Sequence, residues 1–136
     1  MEITLCDVTL GANVTINEDP CLINRGGDTK INAVTLVGKA VVAAGGGECD
    51  AYIQTSIGGA WFDIADFHFT TASATKFFNL TTAAAVSDAA GTLPASPITD
   101  DTAVNTVLGD NLRVRLITSG SAYTGASTLK VYAIVR

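Results

Sequence analysis

Residues with the chemistry of an active site are scarce in this sequence. It has a single histidine, His68, which stands in no recognisable motif with a nucleophilic serine or cysteine. The glycine run at residues 45–47 lacks the Lys-Ser/Thr pair that follows a phosphate-binding loop. We therefore predict that the protein is not an enzyme and that it has no cofactor.

Charged residues are also few. They make up 15% of the 136 residues, whereas about 25% is typical of globular domains. Eight acidic residues and only one basic residue, Lys76, lie between Ala40 and Leu112, and the formal net charge is −5. A field of that sign repels phosphate, so we predict no nucleic-acid partner. Because hydrophobic residues reach 48%, we expect partners or copies of the chain to cover part of the surface.

The sequence shows neither a membrane span nor a secretory signal. No apolar run is long enough to cross a bilayer, and no basic region precedes an apolar stretch after Met1. We expect no membrane partner, and we expect synthesis in a cytoplasm.

The sequence contains three cysteines, an odd number, and none of them is in a CxxC spacing. Reduced thiols, a bridge within the chain such as Cys6 to Cys21, and a bridge between subunits that involves Cys6, Cys21 or Cys49 all stay open. Either kind of bridge needs oxidation after the protein leaves the cell.

Several segments of the chain show the alternation of apolar and polar residues that is typical of β-strands. In residues 112–118 and 128–135, apolar side chains alternate with arginine, lysine and tyrosine. A period of two indicates a sheet with one face on a core and the other in water. Residues 31–44 are rich in β-branched and apolar residues, which favours another strand.

A hairpin is predicted at the centre of the chain. Gly58 and Gly59 separate residues 51–57 from residues 60–70, and a Gly-Gly pair accepts the positive φ angles of a two-residue turn. The alternation in the second arm is imperfect, so we predict a β-bulge between Asp63 and Asp66.

These patterns predict an all-β fold, an antiparallel two-sheet β-sandwich of the jelly-roll kind. Residues 1–30 contain many turn formers and are predicted to be an extended N-terminal arm with one or two short strands. Residues 31–136 then form the β-sandwich domain. Residues 83–106 are predicted to be a long loop with at most one helical turn, and such a loop is usually functional.

The candidate site residues give weak signals. His68 and Asp66 share a face of the predicted strand, but no third ligand is evident, so we predict a structural histidine and no metal site. Asp63 and Asp66 are three residues apart, and a regular strand places them on opposite faces, which makes a poor carboxylate pair for glycoside chemistry. Asp100, Asp101 and Asp110 lack the spacing of a calcium loop, and we predict solvated acids.

The aromatic residues allow two interpretations. They could form a platform for stacking carbohydrate, or they could fill the core, which we favour because a sandwich of this size needs most of them. They are Trp61, Phe62, Phe67, Phe69, Phe77 and Phe78.

From Tyr52 onward the pattern resembles a family of small structural proteins of tailed bacteriophages. The elements that carry it are YIQTSIGGAWFDIADFHFTTASATKFFNL, the acidic and Ala/Thr-rich loop, and LGDNLRVRLITSG followed by STLKVYAIVR. The resemblance implies a virion component, specifically a capsid decoration (cement) protein on the outer capsid surface. Proteins of that kind are commonly jelly rolls that form trimers and bind the major capsid protein.

The resemblance also implies a mechanical role, in which many bound copies stabilise the mature head. We expect the N-terminal arm and the loop at residues 83–106 to contact capsid subunits, so that deletion of residues 1–20 abolishes binding and leaves the sandwich folded. The alternatives are a neck, tail or fibre-associated virion protein and a carbohydrate-binding module.

Overall fold

The computed structural model describes residues 1–23, 31–81, 97–104 and 108–136. Within these ranges the chain forms eleven strands and no helix. The strands are β1 (Glu2–Thr9), β2 (Thr15–Asn17), β3 (Cys21–Leu22), β4 (Ala33–Val41), β5 (Ala44–Gly45), β6 (Glu48–Ile57), β7 (Ala60–Phe69), β8 (Ala74–Thr81), β9 (Asn111–Ser119), β10 (Tyr123–Thr124) and β11 (Thr128–Val135).

Two antiparallel sheets make up the fold. In sheet A the strand order is β1-β11-β4-β8. In sheet B the order is β2-β9-β6-β7, and β3 also pairs with β9. The short strands β5 and β10 pair with each other. The predicted all-β antiparallel sandwich is confirmed.

Alternation in the sequence decides which side chains enter the core. In β11, Leu129, Val131, Ala133 and Val135 are buried, and the residues between them are half-buried. The same alternation holds in β9 and β4. The buried side chains of the two sheets form one cluster, as expected for sheets that are each apolar on one face.

The centre of this core is Phe67 of β7, which is fully buried. Its ring stacks on that of Phe78 with centroids 5.0 Å apart. Gly38 of β4 makes room for it, since a Cβ at that position would lie 2.7 Å from the Phe67 ring. Any larger residue at Gly38 would therefore displace the ring.

The hairpin and its bulge are confirmed. Gly58 and Gly59 take φ angles of 60° and 81°, and the register of β6 with β7 shifts after Ile53. The bulge corrects one prediction: because of the extra residue, Asp63 faces Gln54 and Asp66 faces Tyr52, so the two aspartates lie on the same face and not on opposite faces.

The extended N-terminal arm is not confirmed. β1 is an eight-residue strand of sheet A, and its Leu5 and Cys6 belong to the core. β2 and β3 pair with β9 of sheet B. A deletion of residues 1–20 would therefore remove an edge strand and part of the core, and it would not test binding cleanly. The proposed boundary at residue 30 stays a prediction.

The part of the predicted loop that the structure describes, residues 97–104, runs along the free edge of β7. Ala103 forms a bridge with Ala65, and the backbone N–H of Asp66 donates to the carbonyl of Thr102 at 2.9 Å. Residues 83–96 and 105–106, with the helical turn predicted at 83–90, lie outside the described residues. None of the described residues belongs to a helix that is long and apolar enough to cross a membrane.

Candidate functional site

The outer face of sheet B carries a row of polar side chains from three adjacent strands. Residues that pair across the strands share this face, namely Asp50 with His68, Tyr52 with Asp66 and Gln54 with Asp63, and β9 adds Arg113 and Arg115. Tyr52, Gln54, Asp63 and Asp66 are buried. Segment 97–104 lies beside this row, and its side chains and backbone contribute to it.

In one half of the row the side chains of Asp63, Gln54 and Arg113 are linked by hydrogen bonds. The fully buried Asp63 accepts hydrogen bonds from Gln54 Nε2 at 2.7 Å and from the backbone N–H of Ile98 at 3.2 Å. Arg113 Nε donates to Gln54 Oε1 at 2.8 Å. The Arg113 guanidinium lies 4.2 Å from the centroid of the Trp61 ring, a cation–π contact. This half is a closed structural network.

The other half contains an acidic cluster, which we define as Asp50, Asp66, His68 and Asp100. One nitrogen or oxygen atom from each of the four residues lies within 4.8 Å of the others. His68 Nδ1 is 2.6 Å from Asp50 Oδ1 and 3.5 Å from Asp100 Oδ2. Burial lowers the pKa of His68, but the hydrogen bond to Asp50 and the charges of Asp50, Asp100 and Asp66 outweigh it, and the pKa is raised.

Asp66 is the unusual member of the cluster. Its exposed fraction is 0%, and among the described residues neither carboxylate oxygen has a hydrogen-bond partner. Burial, and then the charges of Asp50 and Asp100, raise its pKa to about 8. The Asp101 backbone and the His68 ring oppose this shift but do not reach hydrogen-bond geometry. A buried carboxyl without partners is costly to ionise.

Asp101 and Lys76 hold the turn that brings Asp100 to the cluster. Lys76 Nζ lies 2.7 Å from Asp101 Oδ2 and also donates to the carbonyl of His68. Asp101 Oδ1 accepts the backbone N–H of His68 at 3.0 Å. Asp101 has φ of 51°, in the left-handed region that aspartate tolerates better than most residues.

These positions bear directly on the sequence predictions. His68 and Asp66 do share a face, as predicted, but the sequence reasoning missed Asp50 and Asp100 as their neighbours. Counting outward from the pair Ile57–Ala60 without a bulge would set Asp50 opposite Phe67, and the bulge moves it opposite His68. That shift was the signal that could have found Asp50.

The three acids predicted to be solvated behave differently from one another. Asp100 keeps a side chain that is 60% exposed although it reaches His68. Asp101 is exposed, as predicted for a solvated acid, and it also pairs with Lys76 and accepts the backbone N–H of His68. Asp110 does not belong to the cluster.

The aromatic residues divide between core and surface. Phe67 and Phe69 are buried and Phe78 packs against the core, as predicted. Phe77, on the opposite face of β8, is 63% exposed, and Phe62 and Trp61 are half-buried.

All three cysteines are free thiols. Burial raises the pKa of Cys6 and of Cys49 to about 12, with smaller contributions from nearby acidic groups. Cys21 is half-buried, and its Sγ lies 3.6 Å from the carbonyl of Thr4. A bridge between subunits involves a second chain and stays a prediction.

The outer face of sheet A has a contrasting chemistry. Val37 of β4 lies between Tyr132 of β11 and Phe77 of β8, and Ile134 is on the same face one pair further along. We call Val37, Phe77, Tyr132 and Ile134 the apolar row. Nothing in the described residues covers Phe77.

Comparisons with protein-family models, with curated proteins and with solved structures find no match to this chain.

Proposed function

We propose that the protein is a bacteriophage virion structural protein, a capsid decoration (cement) protein that binds the outer capsid surface and stabilises the mature head. The proposal starts from the resemblance of residues 52–136 to such proteins. The observation on which it depends most is the 63% exposure of Phe77 on the outer face of sheet A, beside the half-buried Val37 and Tyr132, because aromatic residues are enriched at protein interfaces.

The strand order supports a jelly-roll form of the sandwich. Four strands of sheet A and four of sheet B form the main path of the fold, namely β1, β2, β4, β6, β7, β8, β9 and β11. Along the chain, each of these strands lies in the sheet opposite to that of the strand before it, except at the β6–β7 hairpin. Eight strands in two packed sheets with such crossings are typical of jelly rolls, which are frequent in viral capsid and lectin domains. The fold alone does not decide between those functions.

The apolar row suits a flat protein partner. Phe77 is 63% exposed, and its neighbours Val37 and Tyr132 extend the surface across three strands. Aromatic residues are enriched and charged residues depleted at the centres of protein interfaces. We assign the contact with the major capsid protein to this face, and no longer to residues 1–20, because β1 is built into sheet A.

Stabilisation of the shell then follows from repetition. A weak contact that is repeated by each copy, and by the members of a homotrimer together, gives a high total avidity. The proposal also states that the protein is synthesised in the host cytoplasm and binds the head before lysis.

Binding to particles that lack the protein tests the proposal. Phe77→Ala removes the most exposed large side chain of the apolar row and should weaken binding at least tenfold, which corresponds to about 1.4 kcal/mol. Ile16→Ala is the matched control, since Ile16 is 38% exposed on β2 of sheet B and its truncation should leave binding unchanged. Equal binding of both variants and the unchanged protein would remove sheet A from the interface.

The alternative functions predict other outcomes. A neck, tail or fibre-associated protein would be present in few copies per particle. A carbohydrate-binding module would bind glycans in the absence of any particle and would lose that binding with Phe77→Ala, since Phe77 is the exposed aromatic ring of sheet A.

A further inference from the structure

We propose that the acidic cluster of Asp50, Asp66, His68 and Asp100 is a binding site for a divalent metal ion that accepts both carboxylate and imidazole ligands, with Mn²⁺ or Zn²⁺ as the matching ions. This inference goes beyond the proposed function and does not depend on it. It differs from the sequence prediction of no metal site, which was made because no third ligand was evident.

The strongest observation is the state of Asp66. Its carboxylate is fully buried, it has no hydrogen-bond partner in the described part of the chain, and one of its oxygens lies within 4.8 Å of ligand atoms from three other residues. Buried carboxylates in proteins are normally hydrogen-bonded, paired or bound to a metal. Asp63, on the same strand and the same face, has both of its oxygens engaged. The lack of partners is therefore local to the cluster.

The second observation is the balance of charge. Three carboxyl groups converge on one imidazole, so the site cannot hold all three as carboxylates without a cation in addition to His68. Lys76 pairs with Asp101 and Arg113 contacts Gln54 and Trp61. Arg115 is separated from Asp66 by Tyr52 in the strand register. Like charges this close repel strongly in a buried site. A divalent cation would favour the ionised form of Asp66 beside Asp50 and Asp100 and would give Asp66 the partner that it lacks.

The dimensions suit a small ion. Metal–ligand bonds of about 2.0–2.2 Å place two ligands of one ion at most roughly 4.4 Å apart, so the spread of 4.8 Å needs to close by only a few tenths of an ångström. Asp100 has a more exposed side chain than Asp50 or His68, so it can move by that distance.

The donor set favours some ions over others. Calcium prefers six to eight oxygen ligands, whereas an imidazole among carboxylates suits zinc and other first-row transition ions, and carboxylates suit manganese. Asp50 and His68 come from the β6–β7 hairpin and Asp100 from segment 97–104. A bound ion would therefore add a further link between that segment and sheet B.

The test is metal binding by the full-length protein without a histidine tag, after treatment with a chelator and its removal. Mn²⁺ is the main probe because thiols such as Cys21 bind zinc more readily than manganese. We expect one Mn²⁺ per chain by titration calorimetry and by electron paramagnetic resonance, and a higher melting temperature with Mn²⁺ than without it, since a ligand of the folded state stabilises it.

Two variants locate the site and one serves as the matched control. Asp66→Asn replaces a carboxylate ligand by an amide of nearly the same shape, and Asp100→Asn does the same at an exposed position where misfolding is not expected. Both should weaken Mn²⁺ binding at least tenfold. Asp63→Asn makes the same chemical change on the same strand and face but outside the cluster, and it should keep the Mn²⁺-dependent rise in melting temperature even if the metal-free protein is less stable.

Several outcomes would overturn the proposal. They are no saturable Mn²⁺ or Zn²⁺ binding at 1:1 stoichiometry, equal Mn²⁺ affinity of the unchanged protein and the folded Asp100→Asn variant, and loss of binding in Asp63→Asn to the same degree. Binding of Ca²⁺ that is unaffected by His68→Gln, without binding of Mn²⁺, would also overturn it.

Discussion

The outer face of sheet A presents Val37, Phe77 and Tyr132, whereas the outer face of sheet B presents a row of charged and amide side chains beside segment 97–104. Both faces arise from the same two-residue alternation around one core. On sheet A the apolar row contains one strongly exposed side chain, Phe77 at 63%, and three half-buried ones, and the same face also carries Lys39 and Lys130. On sheet B, the carboxyl groups of Asp63 and Asp66 are fully buried.

The difference shows how one fold can support two kinds of contact. A bare apolar face gains free energy when a protein partner covers it. A buried polar face requires a partner for each of its groups, and Asp63 has these partners within the chain whereas Asp66 does not. We infer that sheet A is the face for a macromolecule and that the acidic cluster of sheet B is the site for an ion.

The largest expected effect concerns the core that both faces share. Phe67→Ala should lower the free energy of unfolding by about 3–5 kcal/mol, because it removes a fully buried ring and leaves a cavity. Phe77→Ala removes the same side chain from the outer face and should cost less than about 1 kcal/mol. Urea denaturation of both variants measures the two changes in the free energy of unfolding. Equal changes would contradict a fold in which Phe67 is buried and Phe77 is exposed.

A smaller effect should separate the two halves of the polar row. In metal-free protein, Asp63→Asn should destabilise by about 1–3 kcal/mol, because an amide cannot accept the hydrogen bonds from both Gln54 and Ile98 in the same way. Asp66→Asn should be neutral or stabilising, because the Asp66 carboxyl has no hydrogen bond to lose. Equilibrium denaturation in the presence of a chelator is the measurement, and the opposite order of the two variants would contradict the assignment.

The smallest expected effect concerns the reactivity of the cysteine thiols and involves no change of stability. It compares Cys21, on β3 at the edge of sheet B, with Cys6 and Cys49 in the core. Cys21 should react with a thiol reagent under native conditions at least tenfold faster than Cys6 or Cys49, because those two are buried and their pKa is raised to about 12. Burial and Asp19 also raise the pKa of Cys21, so its rate should keep increasing as the pH rises above 9. Peptide mapping after brief labelling identifies the modified residue, and fast labelling of Cys49 would indicate an open core.

Local pattern was sufficient for much of the fold. The alternation in β9 and β11 and the Gly58–Gly59 turn specify strands and a hairpin without help from the rest of the chain. β1 was harder to predict, since a register shift between Thr4 and Cys6 breaks its alternation and buries Leu5 and Cys6 in succession.

The acidic cluster could be predicted only in part. His68 and Asp66 are two residues apart, which is visible in the sequence. The bulge was predicted too, but its consequence for Asp50 depends on counting the register from the turn. Asp100 is brought to His68 by the pairing of Ala103 with Ala65, a contact between distant parts of the chain that leaves no local signal.

The most direct test of the central claim is the copy number of the chain in purified particles, measured by quantitative mass spectrometry against the major capsid protein. These are virus particles released by cells that carry the gene for this protein. We predict hundreds of copies in simple proportion to the capsid subunits. A count near three, six or twelve, or absence from the particles, would contradict a decoration protein on the shell.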